Sequence, residues 1–293
     1  DDTVYGAEGA DDISGGLGDD TIDGGMDDDY IVGGPGDDTI EGGAGQDMVE
    51  FTGNKADFTF AADAMGTLTL TDTTTMEGTD VVSGVERLRF SDGELAVSTG
   101  EDGYVTLSDA LGENDDVVTI VGPQAVTLEG LAGDDVLTGG DGGDIIEGGL
   151  GDDMIEGGLG DDVIDGGGGT DTADLSSSRS DTTVDLTSAS PTKGESVGAD
   201  TGRDTLEGIE NVVTGSGDDQ IDGNASANIL SGGIGDDIID GKSGDDTLIG
   251  GLGDDLYKAS DGDDVIIAGG GTDTQARLIA AELEKRKGWK IIP

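Results

Sequence analysis

Hydrophobic residues are sparse along the chain and fall at intervals of nine. Residues 130–174 read GLAGDDVLT, GGDGGDIIE, GGLGDDMIE, GGLGDDVID and GGGGTDTAD, five units end to end without slippage. Small residues, mostly Gly, hold the first, second and fourth places apart from Leu131, and Asp holds the sixth. A large aliphatic holds the eighth in four of the five units. Paired glycines permit sharp reversals that a Cβ forbids, so the first six residues predict a tight turn. The last three predict a short strand. Alternate side chains of a strand face opposite ways, which turns Leu137, Ile146, Ile155 and Ile164 inward and sends Glu147, Glu156 and Asp165 to the solvated side. Two units then make one coil of eighteen residues, with a strand on each flank and a core one residue thick.

The same pattern occupies residues 6–50, with Asp11, Asp20, Asp29, Asp38 and Asp47 at the sixth place and Ile13, Ile22, Ile31, Ile40 and Val49 inward. Its third unit, GGMDDDYIV, puts Asp27 where the fourth glycine belongs, and its turn is the least regular. Residues 1–5 are already in phase with a unit whose turn is missing, so the chain reads as cut from something longer. A third run covers residues 214–276, with Asp219, Asp237, Asp246, Asp255, Asp264 and Asp273 at the sixth place and Asn228 at the remaining one. The second run contributes Asp135, Asp144, Asp153, Asp162 and Asp171.

A coil of eighteen residues stacks each turn over the turn two units later, bringing Asp144 to Asp162 and Asp135 to Asp153. Stacked carboxylates repel unless a cation lies between them. Calcium suits that gap, since it takes six to eight oxygens at flexible geometry, here from aspartates and the carbonyls that glycine turns expose; magnesium demands a stricter octahedron. The units resemble the G-G-x-G-x-D-x-U-x nonapeptide of the RTX (repeats-in-toxin) calcium-binding family. That resemblance implies an all-β fold, a parallel β-roll solenoid in three runs, which binds calcium and folds upon it. It also implies export through a type I channel into calcium-rich surroundings. Sites between turns n and n+2 would number on the order of ten in all.

Composition sharpens this picture. A formal net charge of -54, from 67 acidic against 13 basic residues, disfavours a compact metal-free state. It also argues against nucleic acid or anionic lipid as partners. With 58 glycines and 3% aromatics, little apolar area opposes chain entropy. Cysteine is absent, no apolar run is long enough for a membrane span, and no signal peptide is visible.

Between the runs the period disappears. Residues 51–129 hold all four phenylalanines, Phe51, Phe58, Phe60 and Phe90, and alternation in DFTF, TLTLT and ERLRF predicts antiparallel strands around a small core that could receive a surface glycan or protein partner. The repeat begins to return at GENDDVVT, residues 112–119. Residues 175–213 form a second connector. Its GADTGRDTLEGIENVV echoes GTDVVSGVERLRF at 78–90 and predicts a strand covering the open end of the next coil. Residues 277–293 are basic, with a helix-like spacing of Leu278, Ile279 and Leu283, and read as a short C-terminal helix or tail.

Motifs that suggest catalysis fail on inspection. GESVG at 194–198 has the nucleophile-elbow form, yet the chain contains no histidine to activate Ser196. The DDxxDG strings place Val163 or Ile238 where an EF-hand needs a ligand. The expected function is therefore a non-enzymatic calcium-binding region of a secreted or cell-surface bacterial protein. Its alternatives are the ancillary repeats of a secreted protease, lipase or epimerase, or part of an adhesin or surface layer.

Overall fold

The computed structural model describes residues 1–74, 77–99, 104–109, 115–190, 193–258, 262–273 and 290–292. The chain forms two compact units, residues 1–150 and 151–293. Each is built of parallel β-coils, and among the described residues no helix is long and apolar enough to cross a membrane.

In the first unit, one sheet stacks Thr3–Glu8, Thr21–Met26 and Thr39–Ala44 in parallel, with Ile22 opposite Ile40 eighteen residues on. The opposite flank stacks Asp12–Ser14, Tyr30–Val32 and Met48–Glu50. The strands therefore alternate between six and three residues, where the repeat alone predicts three on each side. The longer ones run on through the glycine pair, as Gly25 facing Gly43 shows. With no Cβ to separate them, these backbones keep pairing where the opposite flank already turns. The irregular turn at Asp27 is accommodated by a left-handed backbone, φ 73°, which Asp tolerates better than most residues.

Each inward eighth-place residue is buried, with Ile31, Ile40, Val49, Ile146, Ile155 and Ile164 all fully enclosed. Residues 51–129 supply the expected antiparallel strands: Phe58–Ala62 pairs with Leu68–Asp72, which pairs with Thr79–Ser83. On the other flank Arg87–Phe90, Gly93–Thr99 and Val105–Asp109 do the same. Phe51, Phe58, Phe60 and Phe90 cluster with ring centroids 5.3–6.0 Å apart. This segment is also woven into the ladder. Thr79–Ser83 lies parallel to Thr39–Ala44 and Arg87–Phe90 parallel to Met48–Glu50, so the hairpin is an excursion within one enlarged coil.

The second unit repeats that device. Gly202–Glu207 is parallel to Val163–Gly168, Ile209–Thr214 is parallel to Asp171–Leu175, and the hairpin Thr182–Ser190 with Lys193–Gly198 stands between. The covering strand expected at 198–213 is thus an internal coil with ladder strands on both sides, since Ile209–Thr214 continues to Ile229–Ile234. Its glycines and inward Leu206 and Val212 give it the dimensions of a coil. The helix expected within 277–293 lies outside the described residues as far as 289. Lys290–Ile292 is a strand, parallel to Val265–Gly270.

Candidate metal centre

The site begins with the sixth-place aspartate, which stands two residues before an inward aliphatic. That aliphatic is anchored in the core, so the aspartate is held at the turn edge and buried with it: Asp20, Asp29, Asp38, Asp47, Asp135, Asp144, Asp153, Asp162, Asp171, Asp219, Asp237, Asp246, Asp255 and Asp264 are each at most 3% exposed. Asp11 and Asp273 are partly exposed. Along a run, Oδ1 accepts the backbone N–H of the residue one coil earlier. Asp38 accepts from Asp20 and Asp47 from Asp29, both at 2.8 Å. Asp29 accepts from Asp11 at 2.8 Å and Asp171 from Asp153 at 2.9 Å. Asp237 accepts from Asp219, Asp255 from Asp237, Asp264 from Asp246 and Asp273 from Asp255, at 2.8–3.2 Å.

The neighbouring fifth-place acids stitch in the opposite direction. Asp19 Oδ1 accepts from the N–H of Asp37, and Asp218 from that of Asp236, both in the solvent. The Asp-Asp dipeptide therefore ties each turn to the coil before it and the coil after it, a role for the fifth place that the sequence reading did not assign.

The second oxygen of the buried acids is the informative one. Oδ2 of Asp20, Asp29, Asp38, Asp47, Asp171, Asp237, Asp246 and Asp264 is enclosed and accepts no hydrogen bond. An enclosed carboxylate oxygen without a donor is costly unless a cation meets it. Those of Asp20, Asp29, Asp38, Asp47, Asp171, Asp237 and Asp246 lie against the first-place glycine of their own unit. A Cβ at Gly15 would lie 2.5 Å from Asp20 Oδ2 and 2.7 Å from the Gly33 carbonyl of the next coil; at Gly24 it would lie 2.6 Å from Asp29 Oδ2 and 2.5 Å from the Gly42 carbonyl. Glycine there leaves a carboxylate oxygen and a carbonyl oxygen converging, a hard-oxygen donor set suited to calcium. Among the described residues no three acidic side chains converge. A metal ion held here would therefore draw on two carboxylates at most, and otherwise on backbone carbonyls.

Electrostatics match that geometry. Burial pushes the carboxyls of Asp38, Asp47, Asp246 and Asp264 above the ordinary range. Asp237 is raised to about 7 by burial, with Asp219 and Asp255 adding like charge from adjacent coils. Asp171 is raised to about 6 by burial, with Asp153 and Glu210 contributing.

Some ladder positions carry their own closure. The ammonium of Lys55, itself 1% exposed, pairs with buried Asp116. Asp204 Oδ2 accepts from the Ser196 hydroxyl at 2.5 Å, so the serine of GESVG is buried in a structural contact. Asp255 Oδ2 accepts from the Tyr257 hydroxyl at 3.3 Å. Asn228, in the aspartate's place, donates from Nδ2 to the Glu210 carbonyl and accepts at Oδ1 from the Asn224 N–H. At Asp219 the first place is Thr214, whose hydroxyl donates to the Gly232 carbonyl at 2.7 Å and fills the space a glycine leaves.

Sequence reading missed five ladder acids: Asp80, Glu86, Asp116, Asp204 and Glu210. Asp80 accepts from the Asp38 N–H at 2.8 Å and Asp204 from that of Asp162 at 3.1 Å. The available signal was an acid two residues before an inward aliphatic, as in Asp80 with Val82 and Glu86 with Leu88.

Comparison with known proteins agrees with this register. A family profile described as RTX calcium-binding nonapeptide repeat, four copies, matches residues 1–31, 23–51, 127–155, 138–173, 199–239, 213–248 and 249–274. No curated protein matches the sequence. Among solved structures, the extracellular lipase LipA from Serratia marcescens is similar at 20% identity and a TM-score of 0.21. The match covers 65% of this chain and 36% of that one, so the chain spans about a third of the lipase's length.

Proposed function

This chain belongs to the RTX calcium-binding nonapeptide-repeat family, and we propose that it is a β-roll region that orders on binding calcium after export, in a secreted or surface protein, and that contributes no catalytic group of its own. The observation that carries this reading is the row of enclosed carboxylate oxygens, Asp20, Asp29, Asp38 and Asp47 in the first unit and Asp171, Asp237 and Asp246 in the second, each lacking a donor and each beside a first-place glycine. The sixth-place aspartates and the turn carbonyls of adjacent coils would hold the ions, on the order of ten in total. Bound calcium supplies positive charge between acids that otherwise repel. The chain's own residues do the rest: the glycines admit close stacking, the aliphatics fix the register, and the fifth-place acids hold successive turns together.

An excess of 54 negative charges explains why ion binding and folding are coupled. Binding confined to the coiled state stabilises it in proportion to the logarithm of free calcium, and little folding is expected at low concentration. Titrating calcium into chelator-treated chain, followed by circular dichroism, should develop β signal that equal magnesium does not. Asp29→Ala, which removes an acid facing both Asp11 and Asp47, should raise the calcium midpoint, and exposed Glu41→Ala should leave it in place. Equal β content in chelator and in calcium would refute the reading.

A further inference from the structure

The acid ladder does not stop at the hairpin excursions. Glu86 Oε2 accepts the N–H of Asp47 at 2.8 Å, the bond that Asp47 itself makes with Asp29. In the other unit Glu210 Oε2 accepts the N–H of Asp171 at 3.0 Å, as Asp171 does from Asp153. Each glutamate stands two residues before a fully buried aliphatic, Leu88 or Val212, in the relation that sixth-place aspartates bear to theirs. Each follows a glycine with left-handed backbone, Gly84 at φ 59° and Gly208 at φ 65°. The partner lies 39 residues away instead of 18, because the excursion is inserted in the coil between.

A second observation marks these steps as places for a ligand. Asp47 and Asp171 are both 0% exposed, and Oδ2 of each is enclosed without a hydrogen-bond donor. A Cβ at Gly42 would lie 2.9 Å from Asp47 Oδ2 and against the Gly84 carbonyl, and one at Gly166 would lie 2.7 Å from Asp171 Oδ2. Among the described residues, the ion pairs near this part of the first unit join Arg87 and Arg89 to Glu94, Arg89 to Glu50, and Lys55 to Asp116. None reaches Asp47 or Glu86. Where the protein provides its own closure, as Ser196 does at Asp204, the second oxygen is satisfied.

We infer that Glu86 with Asp47, and Glu210 with Asp171, each complete a further calcium site, so that the hairpin-bearing coils bind metal instead of interrupting the ladder. The inference rests on the calcium reading above and extends it to ligands outside the nonapeptide pattern. Glutamate has one methylene more than aspartate, which carries the carboxylate across a coil whose path is altered by the inserted hairpin. Its oxygens are as hard as those they replace.

The test counts ions on the full chain by native mass spectrometry in calcium, with calorimetry on the same samples. Glu86→Gln and Glu210→Gln keep an acceptor for the backbone N–H and remove the charge. Each should bind one ion fewer than the wild type and the double variant two fewer, while Glu41→Gln binds the full number. An undiminished count in the double variant overturns this inference alone. A wild-type chain that takes up no calcium overturns the underlying reading with it. If circular dichroism shows a glutamine variant unfolded in calcium, Glu86→Asp takes its place: it keeps the charge but draws it back, and one ion should bind at least tenfold more weakly. An unchanged titration of that variant overturns the inference.

Discussion

At the scale of single residues, glycine and aspartate divide one task. Gly15 is required because its missing Cβ is the space into which Asp20 Oδ2 and the Gly33 carbonyl project. Gly15→Ala should overpack that space and cost about 1–3 kcal/mol, read as a lower denaturation midpoint in calcium. Lys55 shows the same electrostatic need met without metal. A lysine is rarely so enclosed unless paired, and here it is paired with Asp116. Lys55→Met should cost about 3–5 kcal/mol, since removing one member of a buried ion pair leaves the other in a poor medium. Lys55→Met with Asp116→Asn should recover most of that loss, measured by the same unfolding curves. A double variant no more stable than the single one would show that the pair's charge is not the cause.

At the scale of the element, a coil is a three-residue strand, a six-residue strand and two turns around one inward side chain per flank. So thin a core leaves no second layer to relax into a cavity. Ile31→Ala should therefore cost about 2–5 kcal/mol, whereas Val163→Ala, at an outward place that is 42% exposed, should change stability by about 0.5 kcal/mol or less. The hairpin excursions are tolerated because each leaves and rejoins at one coil: Thr79–Ser83 and Arg87–Phe90 meet the same neighbouring strands that an ordinary unit would. Phe51, Phe58, Phe60 and Phe90 pack ring against ring and form the buried core of the first excursion.

For the molecule as a whole, charge dominates. Asp80 and Asp237 are raised to about 7, and Asp171 to about 6, in each case chiefly by burial. In the unfolded chain an aspartate titrates near 4. Between that value and the folded one, the coiled state binds more protons than the unfolded state, so metal-free stability falls as pH rises through this window and is lowest above it. Acidifying chelator-treated protein from pH 8 to pH 5 should thus restore part of the β signal seen by circular dichroism. Over the same interval calcium should bind more weakly, because protons compete for the same oxygens. A metal-free chain whose β content is unchanged over this range would contradict the assignment of these carboxylates as the acids that calcium screens.

The period of nine, the inward aliphatics and the sixth-place aspartates were legible in the sequence because each is a local consequence of a turn and a strand repeated in register. From the place of Asp20 or Asp237 in its unit one can read the neighbour eighteen residues away, whereas its burial came only from the fold. What only the tertiary structure decided is where that register survives without its motif. Asp80, Glu86, Asp204 and Glu210 belong to the ladder through partners 39 or 42 residues distant, across hairpins whose length no periodicity encodes. The closures by Lys55 and Ser196 were hidden for the same reason. Whether a buried carboxylate faces a cation, a hydroxyl or an open space depends on side chains brought near it by folding, and a linear pattern records only those that recur at its own spacing.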